Sequence, residues 1–500
     1  MKRLLLYIAI MLAFLSRSEP VTAQSDTFFK TYGTGSFDEG NDLIQTQNGD
    51  FVIVGATGVK GDESFGDIYV IRTDTGGNVI WTSVIGTGEN DKAHAVTEAP
   101  NGDLLIAGVS YGFIGGYDGM VARIDSQGNL LWIRVYGGSE WDFCYDIGNA
   151  FNSNGFIVAG SRGNETTGFS DGWIFRIDDN GDIQENQVIG GPDNDGFNGM
   201  DILQGYYVFA GFSEPEPNNP DYWVHFTNFE LSEIYSETWG SDSAERFNDV
   251  AITGSLTNRN VTAVGSYQSD QKLNPVSFNL DQTGVRVWSD TVFGADEDEW
   301  LGVKDGIGPD IFMYGYSYSS IGAGKEDILL MVRDDFNNIS ELETTGGDNL
   351  DIARGGVVVD SNLVLAGVTK SFNAEVEDVF LLNLDRNFTQ LTLTDDYRDT
   401  TYNYVTGVDE QDLKYNKNHI KVYPNPLSNG QLSIDIGDQY KQSVSFRILS
   451  INGDEVLNGE LSSGLNQFVV SELNPGVYMI LIESDRMNTK KTTIKKLVIN

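Results

Sequence analysis

The sequence predicts an all-β protein, a seven-bladed β-propeller followed by a small Ig-like β-sandwich. Three observations carry that reading. Two glycine landmarks recur at one period through seven copies. Each copy divides into four short apolar strands separated by tight-turn residues. Near residue 409 the acidic repeat gives way to a nearly neutral stretch with alternating strands of its own.

The first landmark is a glycine in an apolar strand, at Gly55, Gly108, Gly160, Gly211, Gly265, Gly315 and Gly367, spaced 50 to 54 residues apart. The second follows an aromatic or β-branched strand, at Gly33, Gly86, Gly137, Gly190, Gly240, Gly294 and Gly346. Within one copy, Phe143–Ala150 reads as a strand and Asn154-Gly155 as a turn into Phe156–Ser161. A longer loop leads to Gly172–Ile177, and Asp178 to Gly181 turn into a last strand ending at Ile189. Asn-Gly pairs such as Asn48-Gly49 and Asn101-Gly102 supply the positive φ that tight hairpins need. Seven such four-stranded units predict a ring of blades, because radial closure removes the exposed edges of a long open sheet. The ring is expected over residues 24–396. Phe28–Tyr32 matches the outer strand before each second landmark, so it is expected at the edge of the seventh blade, with Phe388–Leu393 competing for that place.

The chain carries a net charge of −41, nearly all of it before residue 409. Such a surface repels phosphate backbones and anionic headgroups, so nucleic acid and membrane surfaces are excluded as partners. Cations, neutral glycans and basic proteins stay open. Lys2 and Arg3 precede an apolar run from Leu4 to Leu15, and Val21-Thr22-Ala23 offers small residues before a cleavage point, so residues 1–23 read as an export signal. The run is too short for an ordinary transmembrane helix, and no such segment is expected after cleavage. Cys144 is the one cysteine. Stability must therefore come from packing and ring closure without an internal disulfide.

The repeat resembles the SBBP-type β-propeller repeats of secreted bacterial proteins. Trp132-Ile-Arg-Val-Tyr136-Gly137-Gly138-Ser139-Glu140-Trp141-Asp142, then Phe156-Ile-Val-Ala-Gly160 and Asp171-Gly-Trp-Ile-Phe-Arg-Ile-Asp178, carry the resemblance. It implies a fold and an extracytoplasmic location, and no fixed activity.

A polar stretch over residues 397–419 is expected to be a linker. Beyond it, over 420–500, Tyr423-Pro424-Asn425-Pro426 opens a run of alternating strands, Gly476 and Tyr478 mark a turn into a buried strand, and Lys495-Lys496 begin the last one. With its motifs in this order the domain resembles the type A sorting domain of type IX secretion. The resemblance implies passage through the periplasm, contact with the type IX translocon and its processing machinery, and a final place outside the cell or on its surface.

No constellation for catalysis, metal or cofactor emerges. Gly108-Val109-Ser110-Tyr111-Gly112 matches a nucleophile elbow, which needs a strand-to-helix turn, yet Gly160-Ser161 and Gly265-Ser266 repeat the same text inside strands. Asp178-Asp179-Asn180-Gly181-Asp182 lacks the glycine and glutamate positions of a calcium loop and reads as a hairpin turn. His94, His225 and His419 stand in different units. What does recur is an acidic residue five positions after each second landmark: Asp38, Asp91, Asp142, Asp195, Glu245, Glu299 and Asp351. Closure should place these in a ring on one face, where each carboxylate accepts backbone N–H groups and ties neighbouring blades. A cation-attracting rim is the alternative. Connections between second and third strands open on the same face and vary most, and binding usually resides in such loops. Tyr111, Tyr117, Tyr267 and Tyr316 are the stacking candidates there. Two functions follow. One is a non-enzymatic surface scaffold that binds a glycan or a protein. The other is a carbohydrate-active enzyme using two carboxylates from among Asp142, Asp195, Glu245, Asp298 and Glu299 as acid and base.

Overall fold

A computed structural model describes residues 27–499 except 59–64, 88–89, 112–115, 152–154, 204, 256–257, 270–271, 293–296, 319–324, 335, 373, 375, 389–392, 399–402, 407–420, 424–430, 437–443, 451–454, 463, 471–472, 474–475 and 487–488. The reading of residues 1–23 as an export signal lies outside the described residues. Every element among the described residues is a strand, and none is a helix able to cross a membrane. The chain divides into two compact units, Met1–Val408 and Asp409–Asn500.

Among its described residues the first unit contains seven sheets, antiparallel except for one edge strand in two of them, that follow one another along the chain. Blade 1 runs Asp38–Gln45, Phe51–Gly58, Phe65–Thr73, Val79–Gly86 from the innermost strand outward. The innermost strands of blades 2 to 7 begin at Asp91, Phe143, Asp195, Glu245, Asp298 and Asp351. Each packs on the next, and that of blade 7 packs back on Asp38–Gln45, so the sheets close a β-propeller. Apolar residues fill the space between blades. Leu105, Ala107 and Val121 of blade 2 meet Cys144, Phe156, Trp173 and Phe175 of blade 3, all fully buried. Burying each large side chain contributes about 1.5–3 kcal/mol.

Both glycine landmarks have a steric cause. Every innermost strand carries a β-bulge, its extra residue being Asn41, His94, Tyr145, Asn198, Asn248, Leu301 or Arg354. Just before each bulge a backbone carbonyl of the innermost strand presses on the first landmark of the second strand. A Cβ at Gly55 would stand 1.8 Å from the Glu39 oxygen, and one at Gly160 would stand 1.9 Å from that of Phe143. The same clash recurs, at 1.9–2.0 Å, at the other five. At the second landmark the intruder is a carboxylate. A Cβ at Gly86 would stand 1.8 Å from an Asp67 oxygen, and one at Gly137 would stand 2.1 Å from an Asp142 oxygen.

The ring is fastened by three segments. Phe28–Gly33 is the fourth strand of blade 7, antiparallel to Asp378–Leu384. Leu393–Arg398 then adds to it in parallel, and Asn403–Thr406 adds in parallel to the outer strand of blade 1. The segment that shares the blade edge with it is Leu393–Arg398; of the expected Phe388–Leu393, Phe388 closes a turn onto Asp385 with its φ at 51°, Leu393 opens the added strand, and residues 389–392 lie outside the described residues. Part of the expected linker also belongs to the propeller. Residues up to Arg398, and Asn403–Thr406, are held by sheet hydrogen bonds on the open edges of blades 7 and 1.

The second unit holds two sheets. One orders Lys421–Tyr423, Gln431–Ile436, Gly464–Val469; the other orders Glu455–Leu461, Val444–Ser450, Gly476–Arg486, Thr489–Ile499. Leu432 and Ile434 of the first share a buried cluster with Phe446, Ile448, Ile480 and Ile482 of the second. Gly476 opens its strand opposite Ile499, Tyr478 is buried opposite Leu497, and Lys495 and Lys496 pair with Ile480 and Met479. Tyr423 ends a strand, while Pro424, Asn425 and Pro426 lie outside the described residues.

Candidate ligand-binding face

The repeated acid sits where the outer strand of one blade passes to the innermost strand of the next. Asp38, Asp91, Asp142, Asp195, Glu245 and Asp351 are all buried. Each takes a hydrogen bond from the residue four positions earlier. The backbone N–H groups of Thr34, Thr87, Gly138, Gly191, Ser241 and Gly347 donate at 2.5–3.3 Å. Asp142 also accepts the Gly163 N–H at 3.1 Å, and its own N–H donates to the Tyr117 carbonyl of blade 2 at 2.8 Å. These carboxylates therefore brace the connections through which one blade passes to the next. Burial raises Asp38, Asp91, Asp142 and Asp351 to about 6. A second set of acids, invisible to the spacing of glycines, stands on the third strands, with Asp327 and Asp378 buried. Nearby Asp378 raises Asp38 further, Asp67 does so to Asp91, and Asp327 to Asp351.

Blade 6 breaks the expected register. The residue two before the position opposite the first landmark is Asp298, which is buried and pairs with Ser317 as Asp38 pairs with Thr57. Counting from Gly294 lands one residue late, because that glycine stands only four residues before the equivalent acid. Glu299 instead accepts from the Asn248 amide at 2.8 Å, the Ser266 hydroxyl at 2.8 Å and the Tyr316 hydroxyl at 3.1 Å.

The four tyrosines do not form one cluster. Tyr316 is bound to Glu299, and burial, then that carboxylate, raises its phenol well above the usual range. Tyr267 pairs across the sheet with Glu245 and packs against the core between blades 4 and 5. Tyr111 and Tyr117 do meet, paired across the hairpin of blade 2 with ring centroids 5.1 Å apart. They begin a run of rings of which the rest had no repeat signal. Tyr117 lies 5.4 Å from Trp141 at 88° and 5.8 Å from Phe143. Phe143 stacks on Tyr145 at 5.3 Å and 3°, and Tyr145 stacks on His94 at 5.1 Å. Alternation along Phe143-Cys144-Tyr145, with Cys144 turned into the core, was the available sign. Trp141 is 60% exposed and Tyr111 46%.

The bulges aim side chains along the inner edge of the ring. The amides of Asn41, Asn198 and Asn248 donate to the Ala93, Phe247 and Trp300 carbonyls of the following blades at 2.7–2.9 Å, and His94 Nδ1 contacts the Cys144 oxygen at 3.0 Å. Lys92 and Arg354 both pair with Glu39, each at 2.5 Å. Burial opposes ionisation of Glu39, but the two cations outweigh it and hold the carboxyl at about 2. Burial, then the Lys92 charge, depresses His94 to about 4. Asp42, Asp146 and Asp249 accept the N–H groups of Val96, Met200 and Val303 in the next blades at 2.8–3.0 Å, and Lys304 bonds Asp249 at 3.0 Å. Among the described residues no group of three or more His, Cys, Asp or Glu is placed to hold a metal ion.

Ser110 lies in a strand, fully buried, 3.1 Å from the Thr87 hydroxyl. Asp178 accepts the N–H groups of Asn180 and Asp182 at 2.8 and 3.0 Å, which closes a hairpin turn. Cys144 is fully buried, and burial pushes its thiol well above the usual range.

Residues 421–500 match the family described as secretion system C-terminal sorting domain. The tail is a sorting domain. It marks the chain for type IX export to the cell surface or the extracellular space and implies contact with that machinery. No curated protein matches the chain. Among solved structures it is similar to the WD40 β-propeller domain of Doa1, at 10% identity over 71% of this chain and 95% of that one, TM-score 0.44. It is similar to the polysaccharide lyase Uly1, at 8% identity over 70% and 90%, TM-score 0.43. It is also similar to Sqt1 from Chaetomium thermophilum, at 14% identity over 68% and 82%, TM-score 0.41. At such identities they bear on neither ligand nor chemistry.

Proposed function

We propose that the propeller is a non-enzymatic binding scaffold, carried to the surface by its sorting domain, that captures an extracellular ligand on the face where the outer-to-innermost connections lie. One observation carries the reading. The repeated carboxylates are committed to backbone N–H groups of the connecting loops, whereas Trp141 and Tyr111 on that face stay exposed. A general acid needs a carboxyl free to reach substrate. Asp142, Asp195, Glu245 and Asp298 are buried at blade joints. Glu299 is the remaining acid for the enzymatic alternative, and three side-chain donors already occupy it. The test is to incubate the purified full chain with extracellular polysaccharides and proteins, measuring retention and product together. Retention without product supports the scaffold. Product that disappears in Glu299→Gln supports the enzyme.

A further inference from the structure

We propose that Trp141, with Tyr111 and Tyr117, forms a platform that seats a pyranose ring of a neutral glycan. This rests on the binding role proposed above and names the ligand of that face. Three features make the platform a built one. The indole is fixed from behind: a Cβ at Gly116 would stand 2.3 Å from its Cδ1, so only glycine lets it lie against that backbone. Tyr117 braces the indole in a T-shaped contact at 88°, with ring centroids 5.4 Å apart. The rings behind Tyr117, from Phe143 through Tyr145 to His94, are stacked at 5.1–5.8 Å, so the platform cannot sink into the core.

Holding an indole 60% exposed forgoes the burial its surface would otherwise gain. A rigid exposed aromatic face suits a ligand that presents an apolar face of its own with polar groups at the edge. The C–H face of a pyranose does so, and its hydroxyls donate to carboxylates. Two acids stand in the loops around Trp141. Glu140 precedes it in sequence, and Glu165 lies beside Gly138, where a Cβ would stand 2.9 Å from its Oε1. With these acids and the net charge of −41, a sulfated or uronate polymer is repelled and an uncharged one is not.

The test uses the purified full chain with neutral β-glucan, mannan and xylan oligosaccharides, alongside alginate and a sulfated galactan as anionic probes. Binding is followed by isothermal titration and by tryptophan emission. At least one neutral oligosaccharide should bind, and Trp141→Ala and Tyr111→Ala should each weaken it about tenfold or more. Trp141→Phe should retain part of the affinity. Phe336→Ala, an 80% exposed ring in the turn after Asp334 at the other end of the blades, should change nothing. Unchanged melting of each variant establishes that it folds. Glycan binding untouched by Trp141→Ala overturns the platform while leaving the scaffold role in place. Binding of anionic probes alone, or of no glycan, overturns the ligand class. Turnover of a bound glycan overturns the scaffold role itself.

Discussion

Gly160→Ala probes the physical reason for the repeat. An added Cβ would stand 1.9 Å from the Phe143 oxygen, 2.9 Å from its carbonyl carbon and 3.2 Å from Cys144 Cα, where real Cβ contacts keep beyond 3.0 Å. The obstacle is backbone, so no rotamer can yield, and the two strands must part by roughly 1 Å beside the Tyr145 bulge. Parting them weakens one or two ladder hydrogen bonds, each worth about 1 kcal/mol, on top of about 1–3 kcal/mol for overpacking. Against this stands a gain of at most about 1 kcal/mol from a stiffer unfolded chain. The expected net loss is about 1–5 kcal/mol, centred on about 3. Tryptophan fluorescence in a urea titration reads it directly, because all 8 tryptophans lie before residue 409 and report the propeller alone. Gly168→Ala is the control, with φ at 77° and nothing within 4 Å of the new atom. It should lose only the left-handed penalty of about 1–2 kcal/mol. A Gly160→Ala variant as stable as Gly168→Ala would refute the close-approach argument.

Raising the pH should destabilise the propeller. Asp38, Asp91, Asp142 and Asp351 are raised to about 6 by burial, so their contribution is full below about 4 and is lost as pH rises through 6. His94 and His225, lowered to about 4 by burial, act oppositely and lose their contribution as pH falls from 6.5 to 4. The four acids outnumber them, so the urea midpoint should be higher at pH 5 than at pH 8, and the reverse order would contradict the buried-carboxylate picture. Ending the chain at Val408 should leave a folded propeller in the periplasm, read by fractionation, and surface delivery of that variant would refute the sorting role. Ending it at Asp396 removes Asn403–Thr406 and the end of Leu393–Arg398, so it should also lower the midpoint, whereas equal midpoints would deny these strands a fastening role. Cys144, fully buried, should resist a thiol reagent until the propeller unfolds, and labelling of the native chain would contradict its placement.

Much of this architecture was legible because its causes are local and repeat. The landmark glycines mark places where a backbone carbonyl or a carboxylate occupies the space of a side chain, so a reader of glycine spacing was reading sterics. The acidic ring followed for the same reason, and it failed by one residue at Glu299 where the landmark and the strand fell out of step. Bulges were missed because these short innermost strands were not read residue by residue, although one extra residue breaks their alternation, and with them went the side chains of the inner edge such as Arg354 and His94. Tyr397, Arg398 and the strand Asn403–Thr406 were read as linker because polar strands on an outer edge carry no apolar alternation. The candidate tyrosines were read as loop residues, whereas all four lie within or at the ends of strands, and whether their rings meet depends on neighbouring blades. That is why Tyr111 and Tyr117 come together with Trp141 while Tyr267 packs against the core between blades 4 and 5 and Tyr316 bonds Glu299.

The most direct test of the whole account is a single calorimetric titration of the full chain with a binding neutral oligosaccharide, with the recovered sugar weighed by mass spectrometry after prolonged incubation. The account predicts saturable heat, loss of that heat in Trp141→Ala, and sugar recovered at its original mass. Recovery of shortened or unsaturated fragments would contradict it.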